Sequence, residues 1–298
     1  MPVTVSLLVP TYNRAEVIAH IWKSWLAQPE VVQLVLVDDG STQDYRPLLT
    51  VLAAACAERG VTLTYLRNDE RQGSPAAKNR GIEHCTGEYV LTTDDDIELN
   101  ADMTHQLLEF TRQHPNAVAG ARVVYRRNDE DNAAALARSN GDARAYFRLP
   151  HLTLTPWVDT GAPLRTPFVT AVALWPRRYF KQGLRYFTEY GGNGYREETD
   201  PQLTVQHCYG AEVWYVPQAC CYHLPPRLAY ASASGQRRGG RLWFEYWVLR
   251  NNVTFLGRHA AYLRNTWNVS YGQALLALLG ERFGPQRFKA LWRELTTP

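Results

Sequence analysis

Three carboxylates stand in a row at Asp94-Asp95-Asp96, directly after the run Glu88 to Thr93. Adjacent like charges repel, and nothing at the end of a strand neutralises them. A divalent cation would. Hard oxygen sites of this kind suit Mg²⁺ or Mn²⁺, which take one or two carboxylates and fill their shell with substrate phosphates. The competing reading is a solvated acidic turn that caps the next helix. A second acidic group, Glu197-Glu198-Thr199-Asp200, follows the Gly-rich stretch Tyr190-Gly191-Gly192-Asn193-Gly194. Glycines let the backbone turn tightly and approach a ligand. Thr199 or Asp200 could cap the following helix, with Pro201 at its first position. Glu197 and Glu198 are not needed for that. One acidic cluster suited to a metal and another free to accept a proton are fitted to two separate jobs.

The elements that must position these groups are legible in the hydrophobic pattern. Tyr89 to Thr92 mixes aromatic, β-branched and aliphatic residues, which predicts a buried strand. Val3 to Val9 is a continuous apolar run, the mark of a strand covered on both faces. It ends at Pro10-Thr11-Tyr12-Asn13-Arg14. A helical spacing runs from Ala15 to Ala27, a strand from Val31 to Val37, a helix from Leu48 to Arg59 and a strand from Val61 to Leu66. Gly73-Ser74-Pro75 opens a helix to Cys85, with Ser74 as its cap. Strand and helix alternate four times, which predicts a parallel sheet with helices on both faces. Ligands of such sheets bind beyond the carboxyl ends of the strands. Pro10 to Tyr12, Asp38-Asp39 and Asp94 to Asp96 all fall there. That convergence favours a site over a chance acidic turn. No Gly-x-Gly-x-x-Gly follows the first strand, so a dinucleotide site is not expected.

Further on, the pattern predicts a helix over 101–113 and a strand over 117–124. Residues 126–166 read as a long excursion that shapes a substrate cleft. Phe168 to Leu174 reads as a strand, Pro176 to Lys181 as a short helix, and Glu212 to Val216 as a strand leading to Cys220-Cys221-Tyr222-His223. Residues 271–295 look like one or two amphipathic helices.

Composition bounds the alternatives. The chain has 298 residues, 45% of them hydrophobic, enough for one large domain and an appendage. A net charge of +3 does not suggest nucleic acid. Five cysteines show neither zinc spacing nor a disulfide framework, which fits a reduced, cytoplasmic compartment. No leader is evident at the start, and no apolar run approaches the ~20 residues that span a bilayer. Segment 236–267 interleaves Arg237, Arg238, Arg241, Arg250, Arg258 and Arg264 with many aromatics. It reads as a helix packed on the catalytic domain, or as one lying against the inner face of a membrane.

The ordered motifs resemble family 2 glycosyltransferases with the GT-A fold. The resemblance covers residues 3 to 260. It rests on Val9-Pro10-Thr11-Tyr12-Asn13-Arg14, Val37-Asp38-Asp39-Gly40-Ser41, Gly73 to Gly81 with Lys78-Asn79-Arg80, Asp94-Asp95-Asp96 as the family's Asp-x-Asp motif, and Glu197 to Asp200 followed by His223. It implies a Rossmann-like, mostly parallel α/β sheet over 1–224, with a nucleotide half (1–100), an acceptor half (101–224) and a C-terminal helical extension (225–298). By the same resemblance Pro10, Thr11, Tyr12, Arg14, Asp38, Asp39, Lys78, Arg80, Asp94 and Asp95 face a nucleotide-sugar donor. Tyr12 would stack on the base and Asp39 would accept a hydrogen bond from it. Asp96, with Asp94 and His223, would hold Mn²⁺ or Mg²⁺. Glu198 stands at the general-base position, where Asp is common, with Glu197 and Asp200 as competitors. The implied activity is metal-dependent, inverting sugar transfer to a saccharide or lipid-linked acceptor in cell-surface polysaccharide or glycolipid synthesis. The rivals are a sugar-1-phosphate nucleotidyltransferase, which would open with a Gly-rich signature absent here, and a non-catalytic nucleotide-sugar-binding relative.

Overall fold

The computed structural model describes residues 3–229 and 240–284. Among these residues the strands are β1 (Val5–Thr11), β2 (Val31–Asp38), β3 (Thr62–Arg67), β4 (Tyr89–Thr92), β5 (Ile97–Leu99), β6 (Ala117–Tyr125), β7 (Phe147–Arg148), β8 (Thr153–Leu154), β9 (Leu164–Arg165), β10 (Ala173–Pro176) and β11 (Glu212–His223). The helices are α1 (Ala15–Leu26), α2 (Arg46–Glu58), α3 (Ser74–His84), α4 (Met103–Gln113), α5 (Asn132–Asn140), α6 (Arg178–Lys181), α7 (Thr199–Tyr209), α8 (Pro226–Ala229), α9 (Gly240–Trp267) and α10 (Tyr271–Phe283).

The main sheet runs β3-β2-β1-β4-β10-β6-β11-β5, with β9 also on β11. β1 is buried along its whole length because alternate residues point to opposite faces. Val5, Leu7 and Val9 join the core under α1, α2 and α4. Leu8 joins the core under α3, α6 and α7. Each such side chain contributes roughly 1.5–3 kcal/mol, so the sheet centre is held from both faces. α1 buries Val17, Ile18, Ile21, Trp25 and Leu26, one apolar stripe. α3 lies closest to the sheet. A Cβ on Gly81 would come within 2.2 Å of the Leu8 side chain. That close approach carries Lys78, one turn earlier on α3, up to the strand ends.

The sheet is mostly parallel along its paired residues, with short antiparallel pairings set into it. β3, β2, β1 and β4 are parallel, and so are β6 and β11. β10 runs antiparallel between β4 and β6. The chain reaches β10 from the excursion after β6, and β10 pairs with both its neighbours in the opposite direction. The expected strand over Phe168 to Leu174 is confined to β10. The excursion is not bare loop: it holds α5, the β7–β8 pair and β9. The cap of α3 is Gly73 at φ 95°, not Ser74, which is already helical. Of the helix expected over 271–295, α10 covers Tyr271–Phe283, and 285–295 lie outside the described residues. All five cysteines are free.

Candidate active site

The carboxyl ends of β1, β2 and β4 bring Thr11 to Arg14, Asp38-Asp39 and Asp94 to Asp96 to one edge. β11 delivers His223 beside them. Leu224 N–H donates to the Asp96 carbonyl at 2.9 Å and fastens the two chain segments together. Asp96 Oδ2 lies 3.4 Å from His223 Nε2. His223 Nδ1 is 2.8 Å from the Leu224 carbonyl, which can only accept. Nδ1 therefore donates to that carbonyl, and Nε2 faces Asp96. A carboxylate oxygen and an imidazole nitrogen this close, with the far ring nitrogen fixed by a carbonyl, suit one face of a divalent cation. Among the described residues, no group of three or more His, Cys, Asp or Glu side chains is gathered for a metal. The remaining ligands would be phosphate oxygens and water.

The triplet lies in the turn between β4 and β5, and its members have different surroundings. Asp94 is 46% exposed toward the cleft. Asp95 points inward, accepting from Thr11 Oγ1 at 2.7 Å and from Arg14 at 2.6 Å. Burial pushes Asp95 up to about 6, although the Arg14 cation pulls it down. Arg14 also donates to Asp96 Oδ2 at 2.8 Å and to the Ala229 carbonyl. Thr11 and Asp95 are thus buried and paired with each other. Pro10 is buried in β1, paired with Val37, and does not flank a base.

At the nucleotide end, Asp38 is fully buried. It accepts from Ser41 N–H and from the Tyr65 hydroxyl, each at 2.8 Å. Asp39 accepts from Asn68 Nδ2 at 2.8 Å, Gln72 N–H at 2.9 Å and Gly73 N–H at 2.7 Å. Its carboxylate therefore shapes the loop 68–73. The Arg71 guanidinium lies 4.5 Å above the Tyr12 ring. Arg80 does not face the donor; it donates to the Arg67 carbonyl and Asn68 Oδ1 behind that loop.

Lys78 is the centre of the cleft floor. It is fully buried, and its ammonium contacts Glu198 and stands 3.9 Å from Asp94 Oδ1. The Tyr186 ring lies 5.4 Å below it. Asn79 holds that tyrosine by exchanging two 2.8 Å hydrogen bonds with its backbone. Glu197 is next to Glu198 but not in the same environment. Burial pushes it up to about 7, against the pull of Lys78 and of a hydrogen bond from Ser74.

Asp200 neither caps α7 nor faces the cleft. The N-cap position is Glu198, without a side-chain cap bond. Asp200, buried one residue inside the helix, takes hydrogen bonds from Tyr190 at 2.7 Å, Arg258 at 2.8 Å and His259 at 2.8 Å. Burial alone would raise its pKa; His259, Arg258 and Tyr190 outweigh that and hold it at about 2. α9 supplies further anchors to the Gly-rich loop. Asn251 donates to the Gly191 carbonyl at 2.9 Å, and Asn252 accepts from buried Arg196 at 2.9 Å. Gly192, at φ 63°, lies so close to Trp247 that a Cβ would meet its ring at 2.2 Å. Arg71, Tyr186 and the α9 anchors were not singled out as site residues. A strand-end loop containing Gly73 is the one sequence signal that could have drawn attention to Arg71.

The model of the family described as glycosyl transferase family 2 matches residues 6–172. An undecaprenyl-phosphate 4-deoxy-4-formamido-L-arabinose transferase of Sodalis glossinidius is 30% identical over 122 residues, covering 40% of this chain and 36% of that protein. A bactoprenol glucosyl transferase of Shigella phage SfX is 27% identical over 160 residues, covering 52% and 48%. The matches thus span less than half of either relative. Among solved structures, a Pyrobaculum calidifontis mannosyltransferase in complex with GDP-Man and Mn²⁺ superposes with a TM-score of 0.58 at 18% identity, over 99% of this chain and 76% of that one. Staphylococcus aureus TarS 1–349 with UDP-GlcNAc gives 0.58 at 16% identity, over 97% and 83%. At these identities the likeness shows the fold, which is GT-A.

Proposed function

The chain belongs to glycosyl transferase family 2, and from that premise we propose that it is a metal-dependent, inverting glycosyltransferase. It would move a sugar from a nucleotide-diphosphate donor to an acceptor hydroxyl. One observation carries this reading: the single buried cation of Lys78 touches Glu198 on one side and reaches Asp94 on the other. Donor-side acids and a candidate base thereby flank one small space. The nucleotidyltransferase and non-catalytic alternatives draw no support from the relatives.

Each residue then has a task. Tyr12 offers an aromatic face to the base, and the loop held by Asp39 closes its edge. Asp96 and His223 would hold the metal; when bound, a divalent cation neutralises the diphosphate and makes it a better leaving group. Arg14 and Arg71 supply guanidinium donors suited to phosphate oxygens. Glu198 accepts the proton of the attacking hydroxyl, a contribution of typically ~10²–10⁴-fold. Lys78 holds that carboxylate in place by direct contact. Attack from the side opposite the diphosphate inverts the anomeric carbon.

The named relatives act on undecaprenyl phosphate and bactoprenol, which supports a lipid-linked acceptor and work at the inner face of the membrane. No helix among the described residues is long and apolar enough to cross a bilayer. Peripheral contact through α9 fits its exposed face, where Leu242, Tyr246 and Val253 fall at helical spacing. Arg237 and Arg238 of that segment lie outside the described residues. The test is a panel of UDP-, GDP- and dTDP-sugars incubated with polyprenyl phosphate and Mn²⁺, with and without chelator. Metal-dependent release of the nucleotide with sugar on the lipid is the expected result. No turnover of any donor, with a folded protein, would refute the reading.

A further inference from the structure

Asp96 Oδ2 has two claimants. It faces His223 Nε2 at 3.4 Å, and it accepts from Arg14 Nη1 at 2.8 Å. The same guanidinium nitrogen donates to Asp95 Oδ1 at 2.6 Å, and the other end donates to the Ala229 carbonyl. Arg14 is only 11% exposed. Its backbone is fixed as well: the Arg14 N–H donates to the Tyr45 hydroxyl at 3.0 Å, and its carbonyl begins α1 by accepting from Ile18. This is a built ion pair, not a surface arginine lying across acids by chance. A metal held by Asp96 and His223 would engage the same carboxylate oxygen. It would place two like charges beside each other at the oxygen that Arg14 now neutralises. Metal on Asp96 and Arg14 on Asp96 are therefore competing states.

A diphosphate changes the balance. It offers Arg14 an alternative partner of the geometry guanidinium prefers, with paired oxygens and full negative charge. It also supplies further ligands, since among the described residues no third metal-ligating side chain joins Asp96 and His223. We infer that Arg14 is the resident counter-cation of the acid triplet, and that it makes divalent-metal binding conditional on the nucleotide diphosphate by exchanging Asp96 for phosphate oxygens. This rests on the metal-dependent reading above and adds an order to it: without a diphosphate the metal is held off. The coupling is reciprocal, so metal tightens nucleotide binding by the same factor.

The experiment is a Mn²⁺ titration of the full chain, read by loss of the free Mn²⁺ paramagnetic resonance signal, alone and with saturating UDP or GDP. Wild-type protein should bind Mn²⁺ at least about tenfold more tightly with the nucleotide diphosphate present, within the usual range for linked sites. Arg14→Gln should bind Mn²⁺ without nucleotide at least about tenfold more tightly than wild type, and the gain from nucleotide should shrink correspondingly. Arg14→Lys, which keeps a charge but cannot bridge two acids, should fall between. It serves as the second test if the Gln variant does not fold. Equal Mn²⁺ affinity of wild type and both variants without nucleotide, with metal binding intact when nucleotide is added, overturns the role of Arg14 and leaves the metal reading standing. Absence of Mn²⁺ binding in every protein, with either nucleotide, overturns the metal reading itself.

Discussion

Replacing Lys78 with methionine removes a buried cation while nearly conserving volume, so the cavity contribution is small. The charge contribution is not. Lys78 is fully buried, and its ammonium lies 3.9 Å from Asp94. At an effective dielectric of about 20, that single pair is worth about 4 kcal/mol before desolvation. The Glu198 contact is closer still. Breaking one side of a buried pair typically costs about 3–5 kcal/mol. Here Asp94 and Glu198 keep 46% and 20% of their side-chain surface open, and water takes up part of the exposed charge. The expected loss for Lys78→Met is therefore about 2–3 kcal/mol. The assay is urea unfolding near neutral pH, comparing variants only where the slope against urea is unchanged. Glu198→Gln supplies the other arm of a double-mutant cycle. Once the cation is gone, the neutral amide is preferable to a carboxylate, so the double variant should be more stable than the sum of the single losses by about 1–2 kcal/mol. Additivity within about 0.5 kcal/mol would mean that Lys78 and Glu198 do not interact energetically. The argument that Lys78 ties base to donor would then fail.

Glu198→Gln should keep nucleotide and metal affinity and lose single-turnover transfer by ~10²–10⁴-fold; Glu197→Gln should lose clearly less, and the reverse ranking would move the base to Glu197. Glu197 also carries a pH signature. Its folded pKa is raised to about 7 from an ordinary 4.5, so the folded state binds the extra proton between those values. Its contribution makes stability fall as pH rises through that window, by up to about 1.4 kcal/mol per pH unit. Glu197→Gln should remove that slope from the stability–pH curve, and an unchanged slope would sink the assignment. Asp200→Ala should destabilise by roughly 3–5 kcal/mol, as expected when the buried partner of Arg258 and His259 is lost. A loss near the ~1 kcal/mol of an ordinary helix cap, measured by thermal unfolding, would mean that the network carries little.

The parts of the site legible from sequence are those set by local pattern. Val5 to Val9 and Tyr89 to Thr92 read as central strands because they are mostly apolar and carry no charge, and a central strand fixes where its carboxyl end emerges. Asp94 to Asp96 could then be placed without knowing any contact. What the pattern does not carry is direction. Asp95 and Asp96 share the Arg14 guanidinium, while Asp94 stands apart beside Lys78, so the three acids read as one group but do not act as one. Arg80 and Lys78 are two residues apart on α3 and therefore point to different sides of the helix. Lys78 goes to the cleft and Arg80 to the loop behind it. Asp200 is the deeper failure. Its position before Pro201 satisfies the rule for a helix start, yet its partners Arg258 and His259 are nearly sixty positions away. No local rule reaches that far. The antiparallel β10 was hidden for the same reason, since its direction depends on where the preceding excursion leaves the chain.

The placement of Asp200 also explains why α9 has to be where it is. Tyr190 to Gly194 contains three glycines and almost no apolar surface of its own, so the loop has much conformational entropy to lose and little burial with which to offset it. Left to itself it would not hold Glu197 and Glu198 in one place. α9 supplies what the loop lacks. Trp247 covers Gly191 and Gly192, where any side chain would collide with the ring. Asn251 and Asn252 satisfy a loop carbonyl and the buried Arg196. Arg258 and His259 pin Asp200 in the first turn of α7. Thr11, Asp38 and Asp94 need no such help, because they sit at or just beyond the ends of central strands. The arginines and aromatics of α9 are therefore spent in part inside the molecule, against the Gly-rich loop and α7. Changes along this helix should act on the geometry of the carboxylates before they act on donor binding.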